Sequence, residues 1–527
     1  MAILSLVPGV EALTASQPSV LTVLSVFFGL CAAYLYLRPA FVRPKGAPPL
    51  LKEDWPIIGT LRFFTGRWDF FQEAIAASNT GSFSFHVGSK HVVGVSGDEA
   101  RKTFFEAKDL DFLEGYANLL AGSPSPPKEA GKEEAAEGAA IDSSDPKWFL
   151  IRILAFVKGD VIRKGIPQLL ADTRKSMEIL AADDRGVTDP FDSIYKIVYQ
   201  LTMRTVACKE IAEDPAMLEK TLHLYEEVEK AATPTVVMYP WLPSPAKLKR
   251  VWGGAQLYMI FKKIVDDRRS TGHRVDDALQ FCMDAGDDIK SIITFVLGAL
   301  FAGQLNSGIN AAWVLIYLSQ SPEWQARARE EVESVAAKYD ADDSKPLYER
   351  LSSVPAEAWE SEFKVLELCL RDSIRIQMVG AAFRKNISGK PVKVGDTLVP
   401  DGSCAMYHTG NVHLDPEIYP EPLRWNPGRY LDQPENKGKP HTFIGWGVGR
   451  HPCPGQRFAK VESNLITAFF LAYFDFEYSD SKGNTKDVKP PPVDLNGHSA
   501  HKPKAPCYLK YKLREANVSP SLRESAA

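Results

Sequence analysis

Residues 288–320 read DIKSIITFVLGALFAGQLNSGINAAWVLIYLSQ, with no proline and with apolar residues on every side of the helix that this pattern predicts. Such a helix has no face to give to water, so it belongs inside a large core or across a membrane. Its polar residues Gln304, Asn306, Ser307 and Asn310 gather at the middle, where hydrocarbon would leave their hydrogen bonds unmade. It is therefore read as the axis of a core, ending before Ser321-Pro322 because proline cannot continue it. A chain of 527 residues that is 45% hydrophobic and 24% charged can supply that core. Helix-period spacing recurs over 149–180, 194–206, 217–232, 255–267 and 326–338. Strand signals are few, at 82–95, 390–398 and Tyr508–Leu513. The expected class is mainly α with small β-sheets. Length alone allows about three domains. One set of motifs spans 148–455, however, so one catalytic domain is expected over 60–515.

Residues 20–37 (VLTVLSVFFGLCAAYLYL) are apolar apart from Thr22 and Ser25. As a helix they reach roughly 27 Å, close to a bilayer's hydrocarbon thickness. Arg38, Arg43 and Lys45 follow the run and only Glu11 precedes it, which places the following chain in the cytosol. The expectation is a transmembrane signal-anchor with a short lumenal stretch at 1–19, single-pass in the endoplasmic reticulum. A cleaved secretory peptide is the competing reading, but the run is long and lacks a basic start. Pro44, Pro48, Pro49 and Pro56 make 38–59 a semi-rigid linker. Residues 121–146 are low in large apolar side chains and read as a low-complexity insertion, and 516–527 as a tail. A net charge of −4 excludes a general polyanion binder, so no nucleic acid partner is expected. The 7 cysteines are odd in number and scattered, which fits a reducing compartment rather than a disulfide scaffold.

The stretch Phe443-Ile-Gly-Trp-Gly-Val-Gly-Arg-His-Pro-Cys-Pro-Gly sets Cys453 among Gly445, Gly447, Gly449 and Gly455, just ahead of a helical pattern from Gln456. Glycines permit tight turns and close approach of a flat ligand. Backbone N–H groups and a helix N-terminus favour a thiolate. A thiolate so placed is a candidate axial ligand for haem iron, against the alternative of a buried structural cysteine.

Here the chain resembles the cytochrome P-450 superfamily, whose haem loop runs F-x-x-G-x-x-x-C-x-G. Residues 446–455 match it except at the first place, where Trp446 stands for Phe. The resemblance extends over nearly the whole chain after residue 37. It implies a triangular helical body around a long central helix, haem b as cofactor and Cys453 as the metal ligand. It also implies that Arg450 or His451 contacts a haem propionate, with Trp446 packing below the sulfur. Asp372-Ser-Ile-Arg375 stands where the family has E-x-x-R, with Arg429 as the third member of its buried triad. Trp148-Phe-Leu-Ile-Arg152 matches W-x-x-x-R, which with Arg384 would reach the propionates. On the central helix the family's A/G-G-x-D/E-T becomes Ala302-Gly303-Gln304-Leu305-Asn306. Leu305 cannot relay a proton and Asn306 replaces the threonine, leaving Gln304, Asn306 and Ser307 as the catalytic candidates that could hold water. An asparagine at this place is similar to the sterol 7α-hydroxylase and prostacyclin synthase branch.

The function implied is a membrane-bound monooxygenase that oxidises a hydrophobic, steroid- or terpenoid-like molecule in secondary metabolism. Electrons would come from a separate NADPH-dependent cytochrome P-450 reductase, since no dinucleotide or flavin segment is present. A reductase-independent isomerase or dehydratase of a lipid peroxide, and a non-catalytic haem or sterol carrier, remain open. Lys158, Arg163, Lys164, Arg457 and Lys460 are candidate reductase contacts. Residues 112–121, 234–242 and 496–500 are candidate substrate contacts. Both N-x-S sequons, at Asn386 and Asn517, are expected to stay bare in a cytosolic body. A mobility shift on glycosidase treatment would reverse that topology.

Overall fold

The computed structural model describes residues 20–37, 43–52, 55, 58–120, 148–431, 438–497 and 500–514. The expected lumenal stretch, the insertion at 121–146, the tail at 516–527 and the Asn517 sequon lie outside the described residues, as does part of the linker.

The central helix forms over Ile289–Gln320, with the Asp288 side chain accepting from the Ser291 N–H at 2.7 Å to cap its start. Most of its residues are buried inside the protein. Its main neighbour is the helix Pro190–Val206. Their close approach depends on Gly308, where a Cβ would come within 2.6 Å of the Tyr195 ring. A second buried surface is supplied by the helix Gln456–Tyr473, called here the proximal helix, buried without a break from Val461 to Tyr473 and apolar there except for Glu462, Ser463, Asn464 and Thr467. The core therefore sits between these helices, and side chains from Gly159–Ala181, Pro322–Tyr339 and Lys364–Gln377 close it.

Of three small sheets, one sends Phe476, Tyr478, Leu509 and Tyr511 into this core, and the other two pack in clusters of their own. The five-stranded one has the order β1 (Ser82–Val87), β2 (Lys90–Val95), β8 (Cys404–His408), β5 (Ala381–Asn386), β3 (Leu110–Asp111). Only the β2–β8 pair is parallel. β4 (Val187–Thr188), β10 (Tyr508–Leu513) and β9 (Phe474–Ser479) form the second sheet, and β6 (Val392–Val394) with β7 (Thr397–Val399) the third. The mainly α class with small sheets is what the structure shows.

Several boundaries differ from the sequence reading. The helix expected over 149–180 is two, Trp148–Phe156 and Gly159–Ala181. At the break, Gly159 packs so tightly on Arg457 that a Cβ would lie 2.1 Å from its Nη1. The pattern at 255–267 is the middle of a longer helix, Pro245–Thr271, which starts at the Ser244 cap and ends at Gly272 with φ 68°. The region 82–95 is a hairpin and 390–398 a two-stranded ribbon. The N-terminal apolar run is a helix, Val20–Leu37, with Val23, Leu24, Phe27, Phe28 and Leu30 all exposed.

Asn386 is not a usable sequon. Its Nδ2 donates to the carbonyls of Lys390 (2.7 Å) and Val399 (2.9 Å), and the side chain has no exposure. In the folded body that nitrogen is out of reach on either side of a membrane, so Asn386 is a poor reporter of topology.

Asp372, Arg375 and Arg429 form a buried ionic triad. Arg375 Nε donates to Asp372 Oδ1 at 2.7 Å and Nη1 to the His413 carbonyl at 2.9 Å, while Arg429 Nε lies 3.2 Å from the same Oδ1. Tyr430 and the Asn426 N–H complete the carboxylate's shell at 3.0 and 2.7 Å. The shorter acid therefore still reaches its partners. Asp372→Ala would leave two buried guanidinium groups without a carboxylate and is expected to lower stability by about 3–5 kcal/mol. The check is the urea midpoint; an unchanged midpoint would mean that the triad contributes nothing.

Candidate active site

Cys453 follows a loop whose shape depends on two glycines in the left-handed region. Gly447 has φ 66° and Gly449 φ 63°, and a Cβ on either would come within 2.3 and 2.4 Å of the carbonyl oxygens of His451 and Phe105. The Cys453 N–H donates to the Trp446 carbonyl at 2.6 Å, and the loop is held from outside by Arg450 N–H to Phe105 O at 3.1 Å. Trp446 is half-buried against the main core. At the loop's start the Ile444 N–H donates to His413 Nε2 at 3.0 Å. Burial, with nearby Arg375, Arg371 and Arg101, lowers the His413 pKa to about 3, so its ring stays a neutral acceptor. This support was not legible from sequence, since nothing marks His413 in its local context.

Among the described residues Cys453 alone of the cysteines is exposed. Burial of its surroundings raises the thiol pKa, and the Gly455 and Gln456 N–H groups oppose that rise. Those donors point at the sulfur from the start of the proximal helix, so they favour negative charge on it.

Arg384, on β5, is 3% exposed. Its Nη1 donates to the Phe383 carbonyl at 2.7 Å, and its guanidinium lies 4.9 Å from the Phe112 ring centre. Burial lowers its pKa, and no carboxylate among the described residues pairs with it. His451 stacks on the other partner of this group, Phe112, at 5.1 Å and 22°. Desolvation and the charges of Arg384 and Arg450 lower the pKa of His451. The Arg450 side chain is exposed. A buried cation that makes no ion pair among the described residues, with Asp111 the nearest acid to act on it, beside a cysteine loop is an arrangement that suits an anionic ligand with a metal centre, and these residues fit a haem.

Trp148 and Arg152 are placed elsewhere. Arg152 Nε and Nη2 grip both oxygens of Asp287 at 2.9 and 3.0 Å, and Trp148 Nε1 donates to the same carboxylate at 3.1 Å. Their i,i+4 spacing does bring them to one helix face, but the acid they meet precedes the Asp288 cap of the central helix. That position is roughly 22 Å along the helix from Ala302 at 1.5 Å per residue. The structure thus joins Arg384 to His451 through Phe112, while the side-chain bonds of Trp148 and Arg152 go to Asp287. No sequence signal distinguished Asp287 from its neighbour Asp288.

On the central helix, Ala302 is exposed while Phe301, Gly303, Leu305, Asn306 and Ser307 are half-buried. An exposed residue in the middle of a core helix marks open space beside it. Asn306, four residues on from Ala302, shares that side and donates to the Ala302 carbonyl at 3.3 Å. Gln304 does not join them. It is fully buried on the opposite side, donating to the Tyr195 carbonyl at 2.9 Å, because two residues of helix carry a side chain just over half-way round. Among the substrate-contact candidates, Phe112 and Tyr116 lie near Arg384, and Trp241 is exposed. Asn496 instead accepts the Trp68 and Asp69 N–H groups at 3.0 and 3.1 Å, a structural cap.

Residues 48–501 match the family model for Cytochrome P450, and the chain belongs to that family. It is 35% identical to the cytochrome P450 monooxygenase AacuE of Aspergillus aculeatus over 86% of this chain and 90% of the relative. It is 32% identical to the cytochrome P450 monooxygenase dmxR5 of Cryptosporiopsis sp. over 96% of each. More distantly, human lanosterol 14-alpha demethylase is 24% identical over 86% of this chain and 85% of the relative. The protein is a cytochrome P450 monooxygenase, and its family binds haem through a cysteine thiolate on the iron. Arg384→Leu is expected to release haem, read as a fall in haem per protein after gel filtration. Arg152→Gln is expected to act on stability instead, by about 3–5 kcal/mol, because it strands a buried Asp287.

Proposed function

We propose that the protein inserts one oxygen atom from O2 into a hydrophobic, steroid- or terpenoid-like small molecule of secondary metabolism, drawing electrons from an NADPH-dependent reductase. The observation that carries this reading is the exposed Cys453 on its glycine loop beside the buried Arg384, which makes no ion pair among the described residues. Haem bound there would supply oxygen activation, with thiolate electron density favouring O–O cleavage. Cys453 would hold the iron, and Arg384 and His451 the propionates, with Arg450 at the rim. Ala302 carries only a methyl group into the open space, leaving room for substrate next to the helix. Asn306 and Ser307 offer donors and acceptors that orient water and oxygen there. The match to enzymes named for lanosterol supports a sterol-like substrate, and the exposed apolar helix Val20–Leu37 supports a single-pass anchor in the endoplasmic reticulum, with the body cytosolic.

The second reading, a lipid-peroxide isomerase that needs no reductase, is favoured by Leu305 and Asn306 standing where the family has an acid and an alcohol. A screen of steroids and terpenoids with membranes, a P450 reductase and NADPH separates the two. Product that requires NADPH and vanishes in Cys453→Ala is the expected result. Turnover of a fatty-acid hydroperoxide at full rate without NADPH would replace the first reading by the second.

A further inference from the structure

β1 and β2 are joined by a turn at Gly88 and Ser89, and Lys90 opens β2 directly behind it, half-buried. Its Nζ donates to the Asn118 carbonyl at 2.5 Å and to the Val237 carbonyl at 2.9 Å, and it makes no ion pair among the described residues. Asn118 lies in the last turn of the helix Phe112–Leu119, and Val237 in the short helix Pro234–Met238. The final carbonyls of a helix have no partner within it and carry the negative end of its dipole, so one ammonium here caps two helices at once. Desolvation lowers the Lys90 pKa; the Cys404 thiol opposes that and the Lys385 ammonium adds to it.

The two helices are fastened very differently. Phe112–Leu119 has anchors of its own: Asp111 accepts the Glu114 N–H at 2.7 Å, Lys385 Nζ donates to Glu114 Oε2 at 3.0 Å, and Phe112 lies against Arg384 and His451. Pro234–Met238 buries one residue, Val237, in the same apolar cluster as Leu119, Phe85 and Phe383. Its end abuts the hairpin turn, where a Cβ on Gly88 would lie 3.4 Å from that of Met238. It belongs to the connection 231–244, in which Pro240 and Pro243 prevent helix from continuing and Trp241 and Leu242 are exposed. A segment with so few buried groups opens at low free energy, and Lys90 gives it its hydrogen bond to the sheet.

We propose that Lys90 is the clasp of the substrate entrance, holding Pro234–Met238 against Phe112–Leu119 so that a bulky hydrophobic molecule passes only when the Val237 bond lets go. Phe112–Leu119 borders the Arg384 and His451 site, so parting the two helices opens a way to that site from the apolar surface at Trp241 and Leu242. Lys90 touches neither cofactor nor substrate and is a positioning residue. Its bond to Asn118 persists during opening, because Asp111 and Lys385 keep that helix on the sheet. The inference rests on the hydrophobic substrate proposed above.

The test compares the full-length holoenzyme with Lys90→Met, which keeps the aliphatic stem and removes the donors, and Lys90→Arg, which keeps donors for both carbonyls. The probes are clotrimazole, a bulky apolar azole, and imidazole, a small one, with binding followed by the shift in haem absorption. In Lys90→Met the association and dissociation rates of clotrimazole are both expected to rise roughly tenfold, the effect of losing one charge-assisted hydrogen bond, so that affinity barely moves. Imidazole rates are expected to stay at the wild-type values, and Lys90→Arg to restore those of clotrimazole. Equal acceleration of both probes, no acceleration of either, or a loss of affinity at an unchanged association rate overturns the proposal.

Hydrogen exchange gives a readout that needs no ligand. The Val237 and Tyr239 N–H groups, which donate to the Thr233 and Thr235 carbonyls, are expected to exchange about tenfold faster in Lys90→Met. Lys385→Met, which removes an anchor of Phe112–Leu119 alone, should leave them at the wild-type rate. Acceleration that extends to the proximal helix, or that Lys385→Met reproduces, overturns the proposal. Azole rates and exchange that follow the expectation while no steroid or terpenoid is oxidised remove the substrate reading and leave the clasp standing.

Discussion

A helix apolar on every side dictates what must surround it. Each buried leucine, isoleucine or phenylalanine of Ile289–Gln320 contributes about 1.5–3 kcal/mol only if another side chain covers it. The protein answers with Pro190–Val206 on one side, brought close by Gly308, and the proximal helix on another. Polar residues on such an axis are tolerated where a partner or open space receives them. Gln304 finds the Tyr195 carbonyl, Ser307 finds Glu462, and Asn306 borders the open midsection. The placement of the reaction space is thus a by-product of where the core leaves its axis uncovered.

The cysteine loop depends on a second constraint, the ionic triad behind it. Arg375 binds the His413 carbonyl, and the ring of His413 receives the Ile444 N–H at the loop's entrance. The low pKa of His413 keeps that acceptor lone pair available at any ordinary pH. Asp372 therefore acts on the geometry of Cys453 through three successive hydrogen-bonded groups without touching it.

Much of this was legible in the chain. Apolar periodicity located the central helix to within a residue, the cysteine loop and the mainly α class followed from local pattern, and the triad from the family resemblance. What pattern missed was set by tertiary partners. The helix expected over 149–180 breaks because Gly159 meets Arg457, a contact made across the chain. Trp148 and Arg152 have the expected spacing, yet Asp287 decides where their donors go. Gln304 and Asn306 are two apart in sequence and on opposite sides of a helix, a separation that follows from the helical period once the open side is known.

The rim around the proximal helix carries a different kind of consequence. Arg457 is held by Glu360, Lys460 by Glu367 at 3.2 Å, and Arg163 lies 3.8 Å from Glu360, whereas Lys158 and Lys164 are exposed on a surface shared with Leu150, Ile151 and Leu154. Cations already neutralised within the molecule project little field beyond a Debye length of roughly 8 Å. A protein arriving at this rim meets short-range contact rather than long-range pull. Whatever steering these three paired cations could give is therefore small and varies little with ionic strength, and the long-range field of this rim comes down to Lys158 and Lys164.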